Sequence, residues 1–468
     1  MELAVFNKPS ITQAATRTGI LDTPGAPPSS QTSNFAKRQK KPETAIYNGR
    51  PWARTEKPIE IYHPAFRIFL DKIDEESSVS ALDYARTENL LRASQHIYPD
   101  EESRRIALVD SLVILLGCDI NKLAIPGCTA DGVIKMRDTG NALEAFITVL
   151  EFKNEIGSSL GDPTVQGAAS YGKYWCQDNL TPITNVSCCP AFIISVAGPW
   201  VCIFGAISLS QIIVQPLTEM LWVADPQKES RMKYLTRVFL ALRNAISHLH
   251  EYYRTLLRSI VPPYVADPAR FFPDIHCFQG RDGNETKFSY TDEFTRLVFK
   301  ARTEENRDIV VKFVERYNAE AHELLARQGL APELLFDGGD VLYGCYRMVV
   351  MEFCYGMTYL EYDRRRPDGM SQAGSELLSI RQTIKGALKL LHEANFVFGD
   401  LRKPNILIVE DEKGTIGAKL IDFDWCGPVG EGRYPANISD SIEWAPGMER
   451  GGLMAQKHDN DMLELLFS

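Results

Sequence analysis

The first half of the chain after residue 60 alternates between helical and extended hydrophobic patterns. Apolar residues recur every three or four positions at 80–97 and 101–117, which predicts amphipathic helices. Apolar, β-branched runs then predict strands, and two longer helical periods accompany them. The predicted strands are 131–136, 143–153, 190–197, 200–208 and 211–224, and the accompanying helices are 162–176 and 228–258. This order predicts an α/β domain that is closed by a helix.

A proline- and aromatic-rich stretch that begins at Pro262-Pro263 predicts a domain boundary. Beyond it the pattern predicts strands at 286–301 and 308–315, a helix at 317–328, two strands near 333–353 and helices at 374–394. Residues 1–60 are rich in Pro, Ser, Thr, Gln and Asn and show no hydrophobic period. The predicted organisation is a disordered tail at 1–60, an α/β domain at 61–265 and a second domain at 266–468.

The stretch 179–218 contains no charged residue, so it could be compared with a membrane span. A spanning helix needs about 20 continuous apolar residues. Here Gly198-Pro199 interrupts the apolar run, and Pro190 and Pro216 flank it. Two β-rich runs around a Gly-Pro turn fit a buried hairpin better, so no membrane partner is expected.

Composition and charge narrow the class of protein. The 468 residues are 44% hydrophobic and carry a formal net charge of −10, which is typical of a globular chain and argues against a general nucleic-acid coat protein. The 10 cysteines show no C-x-x-C spacing and are expected to be reduced core thiols of an intracellular protein. The basic run Lys37–Lys41 is either a nuclear address or a solvated charge run, so both cytoplasmic and nuclear locations stay open.

Polar residues in the second domain have types and an order suited to phosphoryl transfer. Asp400, Asn405 five residues later, and Asp422 at the end of the apolar run AKLID could orient a hydroxyl and hold Mg²⁺. Lys312 lies in the predicted strand IVVKF, where its ammonium could reach phosphate oxygens. Glu320, on the helix that follows, is the expected ion-pair partner of Lys312.

These motifs resemble the eukaryotic protein-kinase fold, and in particular the fungal protein-kinase-like families, over residues 266–468. The resemblance implies ATP and Mg²⁺ as cofactors and a protein hydroxyl, of the Ser/Thr type, as the acceptor of the phosphoryl group. It also implies a two-lobed domain with a much reduced helical lobe, because only 46 residues follow Asp422 (468 − 422).

The resemblance also implies a role for each matching residue. Lys312 is similar to the strand lysine and Glu320 to its helix glutamate. Asp400 is similar to the catalytic aspartate. The remaining matches concern cofactor binding: Glu352 and Phe353 in the hinge, Arg402 at the position of a phosphate-contacting lysine, and Asn405 and Asp422 as Mg²⁺ ligands.

Several positions depart from the kinase pattern. Phe398-Gly399 replaces the His-Arg that precedes the catalytic Asp, and Asp424 replaces the glycine of the DFG motif. The segment 291–296, between the first two strands, contains no glycine, so its backbone cannot approach phosphates as a glycine-rich loop does. An alternative is therefore a pseudokinase or scaffold without catalysis. His322 is expected to pack rather than to act in catalysis.

A second set of acidic and basic residues lies in the α/β domain. Asp131 begins one predicted strand, and Glu151 and Lys153 alternate on one face of the next. The spacing resembles the PD-(D/E)xK nuclease fold, in which carboxylates hold a divalent metal and a lysine activates water. Residues 61–265 carry 18 basic and 22 acidic residues, a net charge of −4, which disfavours nucleic acid as a partner. A metal-dependent nuclease and an inert scaffold both stay open.

The expected fold class is therefore α+β, with a compact protein-kinase-like two-lobed domain preceded by an α/β restriction-endonuclease-like domain and a disordered N-terminal tail. This combination resembles the Crinkler-type fusions of fungi and oomycetes. The sequence names neither the protein substrate nor the oligomeric state.

Overall fold

The computed structural model describes residues 2–55, 57–75, 79–125, 128–137, 140, 143–158, 161–225, 227–365, 373–410 and 414–467. The chain divides into two units, Met1–Ile275 and His276–Ser468. The sequence predicted this division after residue 265. The next ten residues belong to the first unit because the Asp267 amide donates to the carbonyl of Asn185, and Arg67 forms an ion pair with Asp274 at 2.8 Å.

The helices and strands of the first unit closely match the predicted segments after residue 80. Its α-helices are α1 (Glu2–Asp22), α2 (Ala26–Ser29), α3 (Thr32–Gln39), α4 (Pro64–Asp74), α5 (Ala81–Ser94), α6 (Glu101–Leu116), α7 (Pro163–Trp175), α8 (Thr181–Thr184) and α9 (Glu229–Ser259). Its strands are β1 (Ile46–Tyr47), β2 (Asn121–Ile125), β3 (Cys128–Arg137), β4 (Glu144–Lys153), β5 (Ala191–Ala197), β6 (Trp200–Ser208), β7 (Ile212–Pro216) and β8 (Leu221–Trp222).

The strands of the first unit form one mixed sheet in the order β1-β7-β6-β5-β4-β3-β2, and β8 pairs with β6. Strands β2, β3 and β4 are antiparallel, whereas β5 runs parallel to β4 because helix α7 carries the chain back across the sheet. Strand β4 is buried along almost its whole length, and α7 is buried from Val165 to Trp175. The end of β4 therefore lies in a packed interior.

The prediction of a disordered tail at residues 1–60 is wrong for the described part of that segment. Ile20, Phe35 and Ile46 are buried, and β1 extends the sheet by pairing with β7. Helix α3 contains part of the basic run Lys37–Lys41, and Arg38 is buried with its Nε donating to the carbonyl of Thr44. Scattered apolar residues and buried polar contacts hold this segment against the rest of the unit. Its sequence therefore shows no strong hydrophobic period.

The charge-free stretch forms the predicted hairpin. Strands β5 and β6 pair in antiparallel fashion, with Ala197 opposite Trp200 across a turn at Gly198. Gly198 has φ of +58°, a left-handed backbone conformation that favours glycine at this turn. Among the described residues, no helix is both long and apolar enough to cross a membrane.

The second unit begins with its main antiparallel sheet, and helices and short strands follow along the chain. Its strands are β9 (Cys277–Gln279), β10 (Glu285–Thr295), β11 (Val298–Thr303), β12 (Asp308–Val314), β13 (Leu334–Tyr343), β14 (Tyr346–Glu352), β15 (Gly356–Thr358), β16 (Phe396–Val397), β17 (Ile406–Glu410), β18 (Ile416–Leu420) and β19 (Gly427–Pro428). Its α-helices are α10 (Ala319–Ala326), α11 (Tyr359–Arg365), α12 (Ala373–Glu393) and α13 (Gln456–Leu466).

The main sheet of this unit has the order β13-β14-β12-β11-β10-β9, so β12 lies inside it. Helix α10 follows β12, and its buried residues Ala321 and Leu325 join the core around α12. Strands β15, β17 and β18 form a second small sheet, and β16 pairs with β19. The loops that follow β16 and β18 contain the predicted catalytic residues and lie against this core.

Candidate functional site

Asp400 lies in the buried loop that connects β16 to β17. The loop is fixed by Asp459 of α13, whose carboxylate oxygens accept hydrogen bonds from the amides of Phe398 and Gly399, each at 2.9 Å. Gly399 has φ of +82°, and a Cβ there would lie 2.7 Å from the sulfur of Met454. The backbone conformation and the nearby sulfur therefore favour glycine at this position, where the kinase pattern has arginine.

The carboxylate of Asp400 is 3% exposed and is surrounded by donors. Arg402 donates from Nε to one of its oxygens and from Nη2 to the other at 2.5 Å, and Asn405 Nδ2 donates at 2.8 Å. Burial raises the pKa of Asp400, and the charge of Asp422 raises it further, although the bonds from Arg402 and Asn405 oppose this. The group is thus a buried carboxyl that has a nearby cation.

Asn405 links the Asp400 loop to the strand that leads to Asp422. Its Nδ2 also donates to the Asp400 carbonyl at 2.9 Å, and its own carbonyl accepts from the Ile421 amide at 3.0 Å. Within the described residues, the side-chain oxygen of Asn405 receives no hydrogen bond, although the residue is 6% exposed. An amide oxygen that accepts no hydrogen bond among the described residues is suited to a hard cation.

Asp422 follows β18 in a strained backbone conformation. Its φ is +74°, which costs a non-glycine residue on the order of 1 kcal/mol and is common at functional sites. Burial acts to raise the pKa of Asp422, but the charge and hydrogen bond of Lys312 outweigh it and lower the pKa overall. About a third of the side chain is exposed, which leaves access for a ligand.

Lys312 reaches the same place from β12, in the middle of the sheet. Its Nζ lies 2.8 Å from Asp422 Oδ1 and 2.6 Å from Asp424 Oδ1. Burial would lower the pKa of Lys312, but the two carboxylates raise it above its ordinary value, so the side chain is an ammonium ion. Sequence analysis predicted neither contact, because it paired Lys312 with Glu320 and noted Asp424 only as a departure from the kinase pattern.

The predicted ion pair between Lys312 and Glu320 is not formed. Glu320 is exposed in the first turn of α10, and Lys312 has the two aspartates as its partners instead. The order of residues along the chain indicated that α10 carries Glu320. It did not indicate whether the face with Glu320 lies toward Lys312 or toward solvent.

Helix α10 is attached to the site through His322. This side chain is fully buried, and its ring lies parallel to Phe423 with centroids 4.6 Å apart. The ring nitrogens contact the hydroxyl of Tyr317 at 2.7 Å and the carbonyl of Pro332 at 2.9 Å. Burial lowers the pKa of His322 to about 4, so the ring is neutral at neutral pH.

The predicted hinge residues lie at the end of β14. The Glu352 amide donates to Glu333, and the Phe353 amide donates to Asp308 at 3.2 Å. The ring of Phe353 is parallel to that of Phe294 at a centroid distance of 6.2 Å, and Lys300 Nζ lies 4.1 Å from the Phe353 centroid. Aromatic and cationic groups thus surround the hinge.

The glycine-rich loop is replaced by a tight hairpin. Thr295 pairs with Val298, so only Arg296 and Leu297 make the turn between β10 and β11. Irregular register in β10 near Asp292 and Phe294 gives this hairpin its local shape. The turn therefore contains no glycine whose backbone could approach a ligand closely.

The predicted residues of the first unit also come together. Asp131 Oδ2 accepts a hydrogen bond from the Phe152 amide at 2.8 Å, which fixes β3 beside the end of β4. Glu151 is fully buried and accepts from Gln166 at 2.6 Å and from Ser170 at 2.8 Å. Burial, followed by the charge of Asp131, raises the pKa of Glu151 well above its ordinary value.

Lys153 forms an ion pair with Glu101, a residue that sequence analysis did not identify. Its Nζ lies 3.2 Å from both carboxylate oxygens of Glu101, in the first turn of α6. Glu101 is adjacent in sequence to the cap of that helix, and only the fold brings it beside β4. Throughout the described ranges, no group of three or more His, Cys, Asp and Glu side chains is placed to hold a metal ion.

No protein-family model matches the chain, and no curated protein matches it. Among solved structures, the chain is similar to a crystal structure of the Rad53 kinase domain and SCD2 in complex with AMPPNP. The identity is 24%, the match covers 30% of this chain and 51% of that chain, and the TM-score is 0.24. The match therefore spans about half of the Rad53 chain.

The chain is also similar to the structure of vaccinia related kinase 3. The identity is 14%, the match covers 42% of this chain and 68% of that chain, and the TM-score is 0.30. Both similar structures are protein kinases. Because both TM-scores are below 0.5, the roles of individual residues rest on the contacts within this chain.

Proposed function

We propose that the unit His276–Ser468 is a protein-kinase-like domain that transfers a phosphoryl group from ATP to a protein hydroxyl. The observation that carries this proposal is one connected set of contacts. Asn405 joins the loop of Asp400 to the end of β18, and Lys312 joins that strand end to the main sheet. A base, an ammonium ion and oxygen ligands therefore lie in one region, as phosphoryl transfer requires.

Asp400 is the residue that orients the attacking hydroxyl. As a carboxylate it accepts the hydrogen bond of that hydroxyl and takes its proton as the new oxygen–phosphorus bond forms and the bond from the γ-phosphorus to the bridging oxygen breaks, which releases ADP. Arg402 donates to both of its oxygens and opposes the rise in the pKa of Asp400 that burial causes. When a substrate enters, the same guanidinium can turn to the transferred phosphoryl group, where its planar fork fits phosphate oxygens.

The residues present fit a magnesium ion. Asp422 offers a partly exposed carboxylate, and Asn405 offers a side-chain oxygen that accepts no hydrogen bond among the described groups. These are hard oxygen ligands of the kind that Mg²⁺ uses together with phosphates. When bound, Mg²⁺ would neutralise charge on the phosphates. Lys312 binds phosphate oxygens, and Asp422 and Asn405 fix the position of the triphosphate.

The first experiment measures nucleotide binding by the full chain. Mg-ATP at about 100 times its dissociation constant should add roughly 2.7 kcal/mol to the free energy of unfolding of the unit. The shift in Tm should vanish in Lys312→Ala and persist in Lys385→Ala, which removes an exposed lysine from α12. An identical shift in both variants would contradict the proposed role of Lys312.

Transfer distinguishes an active kinase from a pseudokinase. The active enzyme should incorporate labelled phosphate from ATP into a protein acceptor, and Asp400→Ala should abolish this. A wild-type chain that binds Mg-ATP but transfers no phosphate to any of a broad set of proteins or to itself would make the unit a pseudokinase or scaffold.

A second candidate function concerns the first unit and is favoured by the burial of Glu151 beside Asp131 and Lys153. A carboxyl with a raised pKa, a second carboxylate and a lysine at one strand end could bind a divalent metal and activate water, as in a metal-dependent nuclease. The full chain with Mn²⁺ or Mg²⁺ should then cleave nucleic acid, and Lys153→Ala should not. Lys233→Ala, on the surface of α9, is the matched control. Absent cleavage by the wild type would leave this unit a scaffold.

A further inference from the structure

The buried ammonium of Lys312 has two aspartate partners. The shorter contact is with Asp424, to which sequence analysis assigned no role. Asp424 Oδ1 lies 2.6 Å from Nζ, compared with 2.8 Å for Asp422 Oδ1. Lys312 is 8% exposed. A charge that is so buried needs a permanent partner, because removing the partner of a buried ion is strongly destabilising.

Asp422 is poorly suited to be that permanent partner if it also binds Mg²⁺. A carboxylate that turns toward a divalent cation and phosphates exchanges its contact with Lys312 for the new ligands. Asp424 then remains as the acid beside Nζ. The backbone amide of Asp424 lies 3.4 Å from Asp422 Oδ1, so the two acids share one short segment after β18.

The kinase resemblance assigns Glu320 as the partner of Lys312, but Glu320 does not lie beside the lysine. Glu320 is exposed on α10 and has no described contact with Lys312. The helix does not need such an ion pair for its attachment, because His322 stacks on Phe423 and contacts Pro332. The position of α10 and the position of the lysine are thus secured by different residues.

We propose that Asp424, rather than Glu320, is the positioning residue that orients Lys312 toward the phosphates of ATP. The inference deepens the proposed function and rests on it for the identity of the ligand. Asp424 stands where the DFG motif of the kinase pattern has glycine. In this proposal, Asp424 in the segment after β18 has the role that the kinase pattern gives to the glutamate of the helix.

Nucleotide binding and turnover test the functional half of this proposal. Asp424→Asn removes the ionisable carboxyl group and keeps the shape, and Glu320→Gln is the matched control. We expect Asp424→Asn to raise the Kd and KM for Mg-ATP about tenfold or more, with a smaller change in kcat, because a charge-assisted contact is lost. Adenosine, which has no phosphate, should bind both variants and the wild type equally, and Asp424→Glu should restore part of the affinity.

A double-mutant cycle without nucleotide tests the contact itself. The changes in Tm for Lys312→Met and Asp424→Asn should be non-additive by about 3 °C or more, whereas Lys312→Met and Glu320→Gln should add. This readout does not depend on phosphoryl transfer. Coupling in the cycle together with a wild-type chain that binds no ATP would reject the proposed function but keep Asp424 as the partner of Lys312.

Three results would overturn the inference. The cycle could be additive for Lys312 and Asp424. Glu320→Gln could weaken Mg-ATP binding as much as Asp424→Asn does. Finally, Asp424→Asn could tighten Mg-ATP binding, in which case Asp424 competes with phosphate for the lysine instead of orienting it.

Discussion

His322 lies flat against Phe423, with the two ring planes 9° apart. The contact joins helix α10 to the segment that carries Asp422, and the ring is neutral at neutral pH. Its pKa is lowered from 6.5 to about 4 because the ring is buried. The relationship therefore makes the stability of the second unit sensitive to acid.

The first prediction concerns that sensitivity. The unfolded chain binds a proton at His322 below pH 6.5, whereas the folded chain does so only near pH 4. The stabilisation is complete above pH 6.5 and is lost as the pH falls toward 4. Between pH 7.5 and pH 5 the wild type should lose about 2 kcal/mol more than His322→Phe in urea unfolding.

His276→Phe is the control for this measurement, because His276 is exposed in the same unit. Its dependence on pH should follow the wild type. If His322→Phe also follows the wild type between pH 7.5 and 5, the buried ring is not neutral in the folded state.

The second prediction concerns Gly399 and the loop of Asp400. Gly399→Ala should destabilise the second unit by more than about 1 kcal/mol, since φ is +82° and the new Cβ would meet the Met454 sulfur at 2.7 Å. Gly386→Ala on α12 meets no atom within 4 Å and should stabilise by about 0.5–1 kcal/mol. Thermal unfolding measures both, and equal Tm values for the two variants would refute the steric account.

The third prediction concerns Arg402. Its bonds and charge oppose the effect of burial, so Arg402→Ala should raise the pKa of Asp400 further. The acid limb of the pH profile for phosphoryl transfer should therefore move to higher pH, and Arg402→Lys should move it less. An unchanged acid limb in Arg402→Ala would show that Asp400 is not the group that titrates in that limb.

The fourth prediction concerns Glu151 in the first unit. Its pKa is raised in the folded state, so the wild type is relatively stable at low pH and loses stability as the pH rises above the ordinary pKa of the group. Glu151→Gln keeps the shape and removes this loss, so the Tm of the variant should exceed that of the wild type increasingly from pH 5 to pH 9.

Glu219→Gln, on an exposed segment, should follow the wild type over the same range. If Mn²⁺ binds at Glu151, it should raise the Tm of the wild type but not of Glu151→Gln. A wild type that gains stability relative to Glu151→Gln as the pH rises would mean that Glu151 is ionised in the folded state.

The sequence was a good guide wherever local periodicity decides the structure. Strand β4 and helix α7 lie where the hydrophobic pattern predicts them, and Asp131, which lies inside β3, contacts the amide of Phe152 next to Lys153. It failed at residues 1–60, where isolated apolar residues such as Ile20 and Phe35 are buried by distant segments. Composition alone cannot reveal that kind of contact.

The residues that sequence analysis missed act across long separations. Asp459 holds the loop of Asp400 from α13, and Glu101 reaches Lys153 from α6. Neither belongs to a spaced motif, so only the fold identifies them. Glu320 was assigned from its order in the chain, but the exposed side of α10 carries it away from Lys312.

The most direct test of the account is the initial rate of phosphate transfer from labelled Mg-ATP to protein by the full chain. We predict measurable transfer by the wild type, a loss of at least about a hundredfold in Asp400→Asn, and a rate within twofold of the wild type in Asp340→Asn, which alters an exposed acid on β13. Equal rates in the wild type and Asp400→Asn would contradict the assignment of Asp400 as the residue that orients the hydroxyl.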